Sequence, residues 1–175
     1  MLIHENPLMD RENSGQVMSV DLGVKTGIAV FSSEGRLRWF GSRNYGSINS
    51  LRNDLPRLLH SHAPLRVLVL EGGGVLENVW MREAHYRNIA VVSFHAGHWR
   101  QLFFGSDPLM HTNRAKMKAV DLARAVIGLI GENRASLPIH HAAEAILTGL
   151  CFLYEEGKVE LPVEIHRLFR YPRSK

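Results

Sequence analysis

Short apolar runs dominate the first half of this chain, and helical stripes dominate the second. Val17-Met18-Ser19-Val20-Asp21 reads as a buried strand ending on an acid, and Gly27-Ile28-Ala29-Val30-Phe31 as a second strand. Ser33-Glu34-Gly35 supplies a turn, and a third strand follows over 37–40, so the first third predicts an antiparallel meander. Leu51, Leu55, Leu58 and Leu59 recur at helical spacing and predict a helix over 47–60, which Pro56 is able to kink or split. Arg66-Val67-Leu68-Val69-Leu70-Glu71 is the clearest strand, apolar on both faces as central parallel strands are. Gly72, Gly73 and Gly74 break it. The pattern then predicts a helix over 76–87, a fifth strand over 89–94, a loop around 105–112 and an amphipathic helix over 114–130. Ser136 followed by Pro138 looks like a helix start and launches a last helix over 139–154.

This order of elements is an α/β layout: a meander, β-α-β units and a closing helix. A right-handed crossover places the fourth strand beside the first and parallel to it. Residues 1–16 are polar without a period and read as a flexible arm. Residues 17–156 form the globular part, and 157–175 a basic tail with Arg167, Arg170, Arg173 and Lys175.

Composition narrows the class. A chain of 175 residues, 45 % apolar and 22 % charged, can bury a real core as one domain. No stretch approaches the ~20 apolar residues that span a bilayer. Glu5, Asp10 and Glu12 argue against a secretory signal or an acid-poor transit peptide. A single cysteine, Cys151, excludes an intramolecular disulfide framework, so a reducing, cytoplasmic setting is expected. The net charge of +4 suits a polyanionic partner without deciding for one.

The chemistry lies in acids at strand ends. If the first and fourth strands are parallel neighbours, Asp21 and Glu71 meet at the C-terminal sheet edge, on backbones ~4.8 Å apart. Adjacent carboxylates repel, and a divalent cation relieves the repulsion; oxygen ligands suit magnesium or manganese rather than zinc or copper. Either acid alone is an ordinary polar strand end. The pair carries more, because Gly23 and Gly72 stand beside the acids, where a ligand can approach the backbone. In Ile139-His140-His141-Ala142-Ala143-Glu144-Ala145, His141 and Glu144 share a helical face, while His140 and Glu144 stand four apart. The alanines would let this helix lie close against the sheet. Taken alone, these are ordinary solvated helix residues.

Together the motifs resemble the RuvC-type Holliday-junction resolvases of the RNase H-like superfamily. Val-Asp21-Leu-Gly-Val-Lys-Thr-Gly-Ile-Ala-Val is similar to that family's first-strand motif, and Glu71 to its second acid. His141-Ala-Ala-Glu144-Ala is similar to its closing-helix motif, with histidine where aspartate is commoner and glutamate in place of the final aspartate. The similarity spans about residues 17–155, in order. It implies an RNase H-like mixed five-stranded sheet flanked by helices, with Asp21, Glu71, His141 and Glu144 as metal ligands. The segment from Trp99-Arg100 to Arg114-Ala-Lys116 resembles the family's basic segment. It implies Lys116 as catalytic lysine, Lys118 as the second candidate, and Arg100 as a further contact to nucleic acid. The implied activity is endonucleolytic resolution of four-way DNA junctions with two magnesium or manganese ions, ~3.5–4 Å apart. A homodimer matched to the junction's two strands is implied as well, in a cytoplasmic, nucleoid-associated setting.

Other readings stand beside it. A nuclease of this fold acting on RNA and a catalytically silent nucleic-acid-binding module both share the motifs. An actin-like ATPase or sugar kinase has a phosphate-binding hairpin similar to Asp21-Leu-Gly-x-x-x-Gly27 but needs two such domains. His95 and His98, three apart, could suggest zinc, yet no second ligand pair with site-like spacing accompanies them. Trp80, Trp99 and Tyr86 are core, rim or base-stacking candidates, and the glycine run lacks the lysine and hydroxyl of a P-loop. Cys151 reads as helix core.

Overall fold

The computed structural model describes residues 15–104, 113–132 and 137–160. Five strands make one sheet: β1 (Gln16–Asp21), β2 (Lys25–Phe31), β3 (Leu37–Asn44), β4 (Leu65–Glu71) and β5 (Ala90–Phe94). Their order is β3-β2-β1-β4-β5. The first three form the antiparallel meander, while β4 pairs with β1, and β5 with β4, in parallel. Around the sheet lie α1 (Ile48–Ser61), α2 (Val75–Tyr86), α3 (His98–Phe104), α4 (Asn113–Ile130) and α5 (His140–Glu155). The mixed five-stranded α/β class is therefore the one expected.

Strand alternation builds two cores. Met18, Val20, Ile28, Val30, Leu68 and Leu70 face one way and pack on the leucines of α1 and on Val79, Trp80 and Ala84 of α2. Val17, Ala29, Phe31, Val67 and Val69 face the other way, toward α4 and α5. Near-continuous burial of β1, β2 and β4 follows from helices on both sides.

Local departures from the sequence pattern are small. Helix α1 runs unbroken through Pro56, with Ser47 accepting the Ser50 N–H at its start. Helix α5 starts at His140 after Ile139, with no side-chain cap, and Ser136 lies outside the described residues. Most of the N-terminal arm, the tail arginines, Lys175, Arg114's side chain and the loop over 105–112 also lie outside them. The 98–104 stretch, to which the sequence pattern assigns no element, is helix, because Trp99 and Phe103, four apart, bury one face of it.

Helix α5 approaches the sheet so closely that two positions admit no side chain. A Cβ on Gly27 of β2 would run into the His141 carbonyl, and one on Gly149 would meet the Phe31 ring and Ser19 Oγ. Ala142, Ala143 and Ala145 are buried in this contact, and Ser19 donates a hydrogen bond to the Ala145 carbonyl at 2.7 Å. The small residues thus set the height of α5 above β1. Gly27→Ala and Gly149→Ala are each expected to lose about 1–3 kcal/mol in urea unfolding, the usual penalty of overpacking. Gly128→Ala, on an exposed turn of α4 with open space around it, should instead gain up to about 1 kcal/mol.

Candidate active site

The parallel register sets Asp21 directly opposite Glu71. Both occupy the odd-numbered face of their strands, the face that α5 covers. From α5, His141, Glu144 and Thr148 follow at spacings of three and four, so all three share the side turned to those acids.

His141 Nδ1 lies 3.3 Å from Asp21 Oδ2. One ligand atom from each of Asp21, His141 and Glu144 falls within 4.8 Å of the others. Arg100 of α3 enters the same cluster, donating to Glu144 Oε1 at 2.6 Å while its guanidinium sits 4.8 Å over the Trp99 ring. Glu71 is placed differently. It is 4 % exposed, and both of its oxygens are engaged by protein donors. Oε1 accepts the Gly97 N–H at 2.7 Å; Oε2 accepts the Trp99 indole N–H at 2.9 Å and the Thr148 hydroxyl at 2.6 Å.

These distances make the cluster electrostatically tense. Burial pushes the Asp21 carboxyl up to about 8, and the charges of Glu144 and Glu71 push the same way, against Arg100. Burial also raises Glu71, opposed by its hydrogen bonds from Thr148 and Gly97. An imidazole nitrogen and two carboxylates converging in this way suit one divalent cation; the carboxylates are the donors that magnesium and manganese take, and the imidazole extends the set toward softer metals. The third acid stands beside them with its lone pairs directed at other donors, so a second ion would have to draw on Glu71.

The residues singled out from sequence separate into two groups. Asp21, His141, Glu144 and Arg100 come together, with Glu71 against them; His140, one position off, is exposed. Lys116 is exposed and Lys118 half-buried, both on α4, and it is Arg100 that reaches the acids directly. Three contributors were missed. Thr148 was within reach, since it stands four after Glu144 on the same face. Trp99 stands in the sequence as an aromatic and as the start of the basic segment, neither of which announces a donor to a carboxylate, and the Gly97 N–H has no signature in side-chain pattern. The glycine after Glu71 also serves another purpose than admitting a ligand: Gly72 has φ of 122° and donates its N–H to the Phe94 carbonyl as the chain leaves β4.

No protein-family model matches this chain, and no curated protein does. Among solved structures, the fold is similar to that of the yeast mitochondrial Holliday junction resolvase Ydc2. The TM-score is 0.58 at 12 % identity, covering 83 % of this chain and 82 % of that one. A chain of the simian T-cell lymphotropic virus intasome in complex with the PP2A regulatory subunit B56 gamma is fainter, with a TM-score of 0.33 at 10 % identity. It covers 78 % of this chain and 48 % of that one, and carries no argument. At such identities the likeness to the resolvase is one of fold.

The raised Asp21 carboxyl has a measurable consequence. Between its ordinary value near 4 and its folded value of about 8, the folded chain holds a proton that the unfolded chain has released. In chelator, unfolding free energy should therefore fall as pH rises through that window, by at most about 1.4 kcal/mol per pH unit. Asp21→Asn, which mimics the protonated acid, should flatten this slope; denaturant unfolding at several pH values reads the difference.

Proposed function

We propose that this chain is a divalent-metal-dependent endonuclease acting on branched DNA, with the four-way junction as its preferred substrate. The observation that carries this reading is the convergence of Asp21, His141 and Glu144 beside buried Glu71, at the parallel strand ends of a resolvase-like fold. Asp21, His141 and Glu144 are the residues that would hold magnesium or manganese. Bound there, a divalent cation supplies Lewis acidity for activating water and offsetting charge on the scissile phosphate.

The chain's own residues do the rest. Glu71 anchors the site through its three donors and is the ligand on which a second ion would draw. Arg100 balances the acids before substrate arrives and presents the cation nearest to an incoming phosphate. Lys116, and Lys118 after it, supply positive charge on α4 for the phosphate backbone, with Lys116 the candidate to offset charge during cleavage. A four-way junction offers two equivalent strands, which suits a two-fold homodimer.

Cleavage of a synthetic four-way junction, beside linear duplex and RNA controls, tests the proposal. With magnesium, paired nicks in the junction are expected; in chelator, none. Preference for RNA would reassign the substrate, and tight junction binding without cutting under any divalent cation would make the chain a binding module. Asp21→Asn should retain binding and lose more than about 100-fold in cleavage rate, beyond the usual effect of disturbing a ligand's hydrogen-bond partner. Junction affinity should also fall steeply with salt, each phosphate contact contributing about −0.9 to the log–log slope. Lys116→Ala and Lys118→Ala should each make that slope shallower by about one contact, and unchanged slopes would remove them from the interface.

A further inference from the structure

The side of α5 that carries His141, Glu144 and Thr148 continues toward its C-terminus. Cys151 and Glu155 follow at spacings of three and four, so the same polar stripe runs on through an otherwise apolar helix. His98, the first residue of α3, meets this lower end. Its Nε2 lies 2.9 Å from Glu155 Oε1, and Cys151 Sγ lies 3.8 Å from the same oxygen. One ligand atom from each of the three falls within 4.8 Å of the others.

We propose that His98, Cys151 and Glu155 form a second metal site, for a zinc-class cation, that fastens α3 to α5. Its donor set differs in kind from that of the acid cluster. A thiolate, an imidazole and one carboxylate suit zinc or cobalt, whereas the cluster at Asp21 suits magnesium. Zinc bonds of about 2.0–2.3 Å at tetrahedral angles put ligand atoms about 3.3–3.8 Å apart. The 3.8 Å between Cys151 and Glu155 falls in that range, and the 2.9 Å between His98 and Glu155 is a hydrogen bond that a cation would open.

The surroundings suit a cation. Cys151 is buried, and its thiol donates a long hydrogen bond of 3.8 Å to the Glu155 carboxylate, so a cation between the two would take the place of that proton. The His98 ring is held in place by stacking on Phe94, with centroids 4.1 Å apart, and by the edge-on His95 ring at 5.1 Å. Glu155 and His98 remain partly exposed, which leaves an entry path and a fourth position for water. Thiolate and carboxylate together cancel the double charge of the ion, and the thiol proton passes to solvent.

The consequence reaches the upper end of the stripe. Trp99 and Arg100, the next two residues of α3, hold Glu71 and Glu144. A cation at His98 would therefore brace the helix that organises the acid cluster.

Cobalt titration of the chelator-stripped full chain, in excess magnesium to occupy the carboxylates, tests the proposal. The wild type should bind one cobalt per chain with tetrahedral d–d absorption and a thiolate-to-cobalt charge-transfer band. Since the chain has one cysteine, that band identifies Cys151. Cys151→Ser should abolish the band. Glu155→Gln, partly exposed and so independent of core repacking, should weaken cobalt binding by more than about tenfold. Zinc should displace the cobalt and raise the melting temperature of the wild type more than that of Glu155→Gln. Absence of the charge-transfer band in the wild type, or wild-type affinity in Glu155→Gln, would overturn the site.

Discussion

A buried carboxylate needs donors, and much of this molecule is arranged to supply them to Glu71. An unpaired charge at the end of β4 would be destabilising by several kcal/mol. The Gly97 N–H, the Trp99 indole and the Thr148 hydroxyl answer that requirement from three separate points of the chain. Meeting it has geometric effects. It draws the start of α3 over the sheet edge and fixes the rotation of α5, and it leaves Arg100 and His98 on α3 facing Glu144 and Glu155.

The close seating of α5 is the second half of the same arrangement. Gly27, Gly149 and the alanines of α5 let the helix backbone come down onto β1 and β2, and Ser19 fastens it there. Only at that height can His141 reach Asp21. Removing bulk from this interface sacrifices apolar contact, which the rest of α5 restores by burying Ile146, Leu147, Leu150 and Leu153 completely or nearly so. The site thus stands on a helix held from below by packing and from the side by hydrogen bonds.

Charge is distributed unevenly along this interface. At the upper end three acids share one arginine, and burial together with their mutual repulsion raises the Asp21 carboxyl. Such tension is characteristic of sites kept ready for a ligand of opposite charge. At the lower end the polar groups are fewer and softer, and they satisfy one another around a single glutamate oxygen. Two kinds of chemistry can share one helix face because they lie about two turns apart.

Much of this is legible in the sequence. Runs of alternating or continuous apolar residues identify the strands, and Asp21 and Glu71 stand at strand ends in the linear text. The spacing of His141 and Glu144 assigns them one helical face. These are local properties, governed by backbone periodicity over a few residues. What periodicity cannot supply is which distant groups meet. Gly97 reaches Glu71 through a backbone amide that every non-proline residue carries, so nothing in its side chain announces the role. His98 showed no second ligand pair along the chain; its partners are 53 and 57 residues away, brought near by the path of α3 across α5. Burial of Trp99 and Phe103 likewise makes a helix of a stretch whose local pattern assigns no element. Local pattern settles elements and faces, while contacts across long loops depend on how the whole sheet and its helices satisfy their buried charges at once.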